Sequence, residues 1–139
     1  MQIEPYLFFN GRCEEAIEFY RSSLGAEIPV LMRYSDSPDP DACPSGADDK
    51  IMHANVQIGN STIMVSDGDN SGEASFEGVS LSIAVDNVEE AERYFTALSE
   101  GGEIQMPLEK TFWSPAFGMV KDRFGVSWMV NVFSEEEMG

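Results

Sequence analysis

One heptapeptide occurs twice in this chain in nearly the same form: EEAIEFY at residues 14–20 and EEAERYF at residues 89–95. Each copy follows a short apolar run. Each is followed by a glycine stop, Gly25-Ala-Glu-Ile28 in the first half and Gly101-Gly-Glu-Ile104 in the second, one residue out of step. Each half then ends in a hairpin with a glycine at its turn, Gly59 and Gly125. A repeat of this kind restricts the fold strongly. Each copy is one supersecondary unit that cannot bury its apolar face alone, so the two must pair within the chain or across a dimer. The predicted class is α+β, with two βαβββ units and eight strands.

Taken in order, residues 3–10 read as a strand and residues 13–24 as a helix, with Ala16, Ile17, Tyr20 and Leu24 on one face. Gly25 ends that helix. Residues 27–34 form a second strand, and Pro29 within it marks an edge or a bend. Residues 35–50 hold three prolines and few apolar side chains, and read either as a lid or as an inert acidic loop. Residues 51–58 and 61–66 are the first hairpin. Residues 67–78, polar and glycine-rich, join the halves, giving repeat 1 at about 1–68, a linker at about 69–78 and repeat 2 at about 79–133. In the second repeat, residues 79–85 are a strand. Asn87 caps a helix with the stripe Val88, Ala91, Phe95 and Leu98, and residues 103–106 are a short strand. The closing hairpin, 116–133, turns at Asp122-Arg-Phe-Gly125. Its last arm is apolar on both faces: Trp128, Val130 and Val132 point one way, Met129 and Phe133 the other.

The 139 residues allow one domain or two small halves with a shared core. With 25 acidic against 8 basic side chains the net charge is −17, which offers no footprint to nucleic acid or to an anionic membrane. No apolar run reaches the roughly 20 residues of a spanning helix. Two cysteines, Cys13 and Cys43, are too few for a disulfide framework, and no secretory signal precedes the first strand. A reduced, cytoplasmic protein is expected.

The residues Pro5-Tyr6-Leu7, Asn10-Gly11, Glu15-Ala16, Phe19-Tyr20, Leu24-Gly25, Met52-His53-Ala54, Met64, Ser66-Asp67-Gly68, Trp113, Phe117-Gly118, Asp122, Gly125 and Trp128 run through nearly the whole chain. In this order they resemble the vicinal oxygen chelate superfamily of glyoxalase I, bleomycin-resistance proteins and extradiol dioxygenases. The similarity is closest to its PhnB-like branch, often labelled 3-demethylubiquinone methyltransferase-like. The resemblance implies a cupped, eight-stranded mixed sheet with the site inside the cup, and a frequent homodimer. Metal-dependent relatives place His and Glu or Gln at positions that fall here on about Pro5, Met64, Ser80 and Met129. None of these suits a divalent transition ion, and a chain with one histidine cannot supply two. No metal and no cofactor are therefore expected, with a weaker site of His53 and Glu4 or an aspartate as the alternative, which spacing does not single out. The methyltransferase label lacks its physical basis, since no glycine-rich strand–loop–helix with a following acidic residue is present.

His53 is the one catalytic candidate, as a general base or a hydrogen-bonding group for a ligand; the plainer alternative is a half-buried histidine bonded to a neighbouring strand. Tyr6, Phe8, His53, Met64, Trp113, Phe117, Trp128 and Met129 are candidates for an apolar ligand pocket, although each taken singly is also ordinary core. Asp67 and Asp122, each at a glycine turn, read as turn chemistry. Cys13, with no basic partner nearby in sequence, is not expected to be a nucleophile. The expected function is metal-free binding of an unidentified small molecule in the cup. The alternatives are an enzyme (lyase, isomerase or transferase type) built around His53, and a dimer with a closed core that acts only through interaction.

Overall fold

The computed structural model describes residues 1–37, 49–68 and 73–133. The chain divides into two compact units, Met1–Ala74 and Ser75–Gly139. Each unit has the predicted βαβββ order and forms a four-stranded mixed sheet.

The N-terminal unit runs β1 (Tyr6–Phe8), α1 (Cys13–Leu24), β2 (Glu27–Arg33), β3 (Ile51–Ile58) and β4 (Ser61–Ser66), with sheet order β1-β4-β3-β2. β1 is shorter than the 3–10 expected. Pro5 lies just ahead of it, although its carbonyl still accepts from Met64 N at 2.9 Å, and Asn10 takes a left-handed φ of 46° that ends the extended run. The helix begins and ends as predicted. Gly25 has a φ of 68°, and its N–H donates to Tyr20 O, the left-handed stop that a side chain would resist. Ala16, Ile17, Tyr20 and Leu24 are buried, as are Leu7, Ala54, Val56, Ile63 and Val65 on alternate positions of the strands. β2 is an edge strand with a register shift between Glu27 and Val30, around Pro29. Of the 35–50 loop, 38–48 lie outside the described residues, so the lid reading falls there.

The C-terminal unit runs β5 (Leu81–Val85), α2 (Val88–Ser99), β6 (Glu103–Glu109), β7 (Phe117–Lys121) and β8 (Ser127–Val132), ordered β5-β8-β7-β6. Asn87 caps α2 as expected, its side-chain oxygen accepting from Glu90 N at 2.9 Å. Ala91, Phe95 and Leu98 are buried, but Val88 is exposed: it sits in the first helical turn, before the stripe reaches the sheet. β6 is longer than the 103–106 expected. As an edge strand it absorbs Pro107 through irregular pairing between Met106 and Glu109. Leu108 and Phe95 crowd Gly118 on β7, where a Cβ would stand 2.7 Å from the Phe95 ring and 3.0 Å from the Leu108 backbone. Gly118 therefore marks the face of β7 that α2 covers.

Candidate functional site

Alternation along the strands sorts the candidate residues by face. In the N-terminal unit Leu7 is buried while Tyr6 and Phe8 are exposed, so the latter two project from the open face of β1. Their rings stack at 4.9 Å. Tyr6 is the register partner of Met64, and Met64 of Asn55, which places all three in one row across β1, β4 and β3. His53, two residues from Asn55, stands on the same face.

These side chains form a hydrogen-bonded chain. Tyr6 OH lies 2.8 Å from His53 Nδ1, and His53 Nε2 lies 2.8 Å from Asn55 Oδ1. Asn55 Oδ1 can only accept, so Nε2–H is the donor of that bond, and in this tautomer of the neutral imidazole Nδ1 accepts from the tyrosine hydroxyl. Burial pushes the Tyr6 hydroxyl above its usual pKa, with the Ser66 hydroxyl pulling the other way, so Tyr6 stays a neutral donor. The sequence shows no partner for His53. The fold supplies two: one from β1, and one from its own strand at the i+2 spacing that puts side chains on one face.

In the C-terminal unit β8 alternates strictly: Trp128, Val130 and Val132 are buried, whereas Ser127, Met129 and Asn131 are half-buried. Phe117 pairs with Asn131 and Met119 with Met129, so these four share the face opposite Gly118. Trp113 reaches the Phe117 ring edge-on at 5.4 Å. Its loop is held by Thr111, whose Oγ1 accepts from Trp113 N at 3.3 Å and from Ser114 N at 3.0 Å. Trp128 does not join this group. It is 3% exposed, and its indole N–H donates to Asp122 Oδ2 at 2.9 Å. It is a core residue because the two-residue period of β8 sends it to the side opposite Met129.

Both turn aspartates do more than turn chemistry asks. Asp122 Oδ1 accepts from Phe124 N and Val126 N, the expected turn bonds, while Oδ2 anchors Trp128. Asp67, 1% exposed, ties three segments together: Oδ1 accepts from Gly11 N at 2.7 Å and Cys13 N at 2.9 Å, and Oδ2 from Ile51 N at 2.8 Å. The amide that opens α1 is thus already taken by a carboxylate of the protein. Cys13 is fully buried. Burial, and then the nearby Asp67 and Glu14 charges, push its thiol far up, which keeps it protonated and unreactive.

The metal positions that the resemblance implies can be tested on the donors present. Met64 faces Tyr6 and Met129 faces Ser82 across the two parallel strand pairs, rather than Pro5 and Ser80. Thioether, phenol and hydroxyl groups do not fit a divalent transition ion. Among the described residues no three His, Cys, Asp or Glu side chains gather to hold a metal ion. Also among the described residues, no helix is long and apolar enough to cross a membrane.

Residues 1–131 match the family model described as 3-demethylubiquinone-9 3-methyltransferase. The chain is 42% identical to protein YjdN of Escherichia coli over 98% of both chains. Among solved structures it is similar to protein PA1353 from Pseudomonas aeruginosa, with a TM-score of 0.85 and 46% identity over 96% of this chain and 98% of that one. A putative 3-demethylubiquinone-9 3-methyltransferase, PhnB protein, from Bacillus cereus gives a TM-score of 0.78 and 30% identity over 95% and 99%. A glyoxalase/bleomycin resistance protein from Albidiferax ferrireducens shares the fold, with a TM-score of 0.62 and 14% identity over 95% and 98%. The chain therefore belongs to the 3-demethylubiquinone-9 3-methyltransferase family, the PhnB-like branch of the glyoxalase/bleomycin-resistance fold.

Proposed function

We propose that this chain binds a small, partly apolar molecule on the open face of its N-terminal sheet, and that it needs no divalent metal ion to do so. The observation that carries this reading is the Tyr6–His53–Asn55 hydrogen-bonded chain set among Phe8 and Met64. Small-molecule sites are mostly apolar, with a few fixed polar groups that orient the ligand. The Tyr6 hydroxyl donates a hydrogen bond to His53 and keeps lone pairs to accept from a ligand N–H or O–H. The stacked Tyr6 and Phe8 rings supply a flat apolar wall. Phe117, Met129 and Trp113 offer a similar surface in the C-terminal unit, and Trp128 takes no part. The exposed apolar residues Val30, Leu31 and Met32 on edge strand β2 favour a homodimer, and the protein is expected in the cytoplasm.

The same hydrogen-bonded chain favours a second reading, an enzyme in which His53 takes a proton through Tyr6. The test begins with protein purified without chelators, examined by native mass spectrometry and metal analysis. We expect a bound organic mass that Tyr6→Phe and His53→Ala release, with divalent metal far below one equivalent. Stoichiometric zinc, nickel or manganese whose removal abolishes ligand retention refutes the proposal. Loss of turnover with retained ligand affinity in His53→Ala selects the enzyme.

A further inference from the structure

We infer that Met106, Met119 and Met129 form a binding site for a soft monovalent cation of the copper(I) class, a reading that does not rest on the Tyr6–His53–Asn55 surface. Met106 is the register partner of Met119, and Met119 of Met129, so one thioether from each of β6, β7 and β8 lies in a single row on the open face of the C-terminal sheet. Neighbouring strands are about 4.8 Å apart, which puts the outer two Cα atoms about 10 Å from each other. A methionine side chain is unbranched, with three rotatable bonds, and the outer two sulfurs can lean in over the middle one. Met106, 43% exposed, opens the row to solvent, while Met119 and Met129 are half-buried.

Three neutral, soft sulfur donors favour copper(I) and disfavour zinc, manganese or magnesium, which prefer imidazole, carboxylate or water. The surroundings do not repel a cation. Lys121, two residues from Met119 on the same face, stands opposite Glu103, and the chain as a whole carries −17. The Phe117 ring, on the other side of Met119 along β7, turns toward the same face. Thioethers do not titrate, so binding releases no proton. This separates the row from any site built on His53 or a cysteine, where affinity falls with pH.

Silver(I), the diamagnetic probe of this class, is titrated into the full chain carrying Cys43→Ser, which removes a competing thiol; Cys13 is 0% exposed. The ε-methyl NMR signals of all eight methionines are followed. Three signals, those of Met106, Met119 and Met129, are expected to move together and saturate at one equivalent. Anaerobic copper(I) competition with bicinchoninate then gives the affinity. Each of Met106→Leu, Met119→Leu and Met129→Leu conserves volume, so the fold is kept. Loss of even an outer-shell partner costs a metal site 10–100-fold, so loss of a direct ligand is expected to weaken binding by at least about tenfold. Met32→Leu, outside the row, leaves affinity unchanged. Between about pH 5.5 and pH 7.5 affinity changes by less than about twofold. The inference is overturned by shifts spread over all methionines without saturation, by unchanged affinity in the three row variants, or by a steep pH dependence.

Discussion

Replacing Asp67 with alanine tests whether the N-terminal unit depends on one buried carboxylate. The side chain accepts three backbone N–H bonds, from Gly11, Cys13 and Ile51, and so joins the turn after β1, the first turn of α1 and the start of β3. Alanine leaves all three donors without their acceptor. A buried donor left unpaired costs about 1–3 kcal/mol, which sums to about 3–9 kcal/mol. Relief of the carboxylate's own burial, and water entering the vacated space, offset part of this, so we expect a loss near the lower end, about 3 kcal/mol. Stability of a domain is typically about 5–15 kcal/mol, so the change is large. Urea unfolding followed by far-ultraviolet circular dichroism should show a midpoint about 1–3 M lower at unchanged slope. Amide hydrogen exchange gives the local signature: the Ile51, Gly11 and Cys13 amides lose protection out of proportion to the rest of β3 and α1. Asp67→Asn, which can keep Oδ1 as an acceptor, should fall between wild type and alanine. A loss below about 1 kcal/mol for Asp67→Ala, or uniform exchange at all three amides in wild type, would refute the reasoning.

Three further outcomes follow from the packing and the caps. Gly118→Ala places a Cβ against the Phe95 ring and the Leu108 backbone, and is expected to cost about 1–3 kcal/mol in thermal or urea unfolding, with α2 losing exchange protection. Asn87→Ala removes the α2 cap and should cost about 1 kcal/mol, while Asn87→Ser restores most of it. Cys13 gives a pH signature. Its folded pKa is raised above the unfolded value of about 8.5, so its contribution is complete below that pH and is lost as pH rises above it, at up to about 1.4 kcal/mol per pH unit. The difference in unfolding free energy between wild type and Cys13→Ala should therefore be flat from pH 6 to 8 and narrow steadily above about pH 9; parallel curves count against it.

Much of the fold was legible because its periodicities are strong. The α1 boundaries, Cys13–Leu24, follow from a clean apolar stripe and a glycine stop, and the first hairpin from alternation around Gly59-Asn60. Misses fell where tertiary context overrides a local rule. β6 continues past Pro107 because only an edge strand can spare an N–H, and edge position is not written in the local residues. The site was legible in part. Tyr6, Phe8, His53 and Met64 come together on one face, but Asn55 was missed even though its i+2 spacing from His53 was available as a signal. The aromatic character of Trp128 suggests a pocket residue, whereas its alternation with Met129 along β8 puts it on the other side. Asp67 looked like a turn residue because its three partners lie far away in sequence, which no local pattern reveals.

The indole bond to Asp122 also governs what light can report about this protein. Both tryptophans, Trp113 and Trp128, belong to the unit Ser75–Gly139, and the unit Met1–Ala74 has none. Trp128, enclosed and bonded to a carboxylate, is a fixed internal emitter that responds only when its own unit opens. Trp113, on a surface loop against Phe117, is the emitter within reach of quenchers and of any ligand on that face. Tryptophan emission therefore originates in one half of the molecule, and a tryptophan engineered beside Tyr6 and His53 would give the other half an emitter of its own.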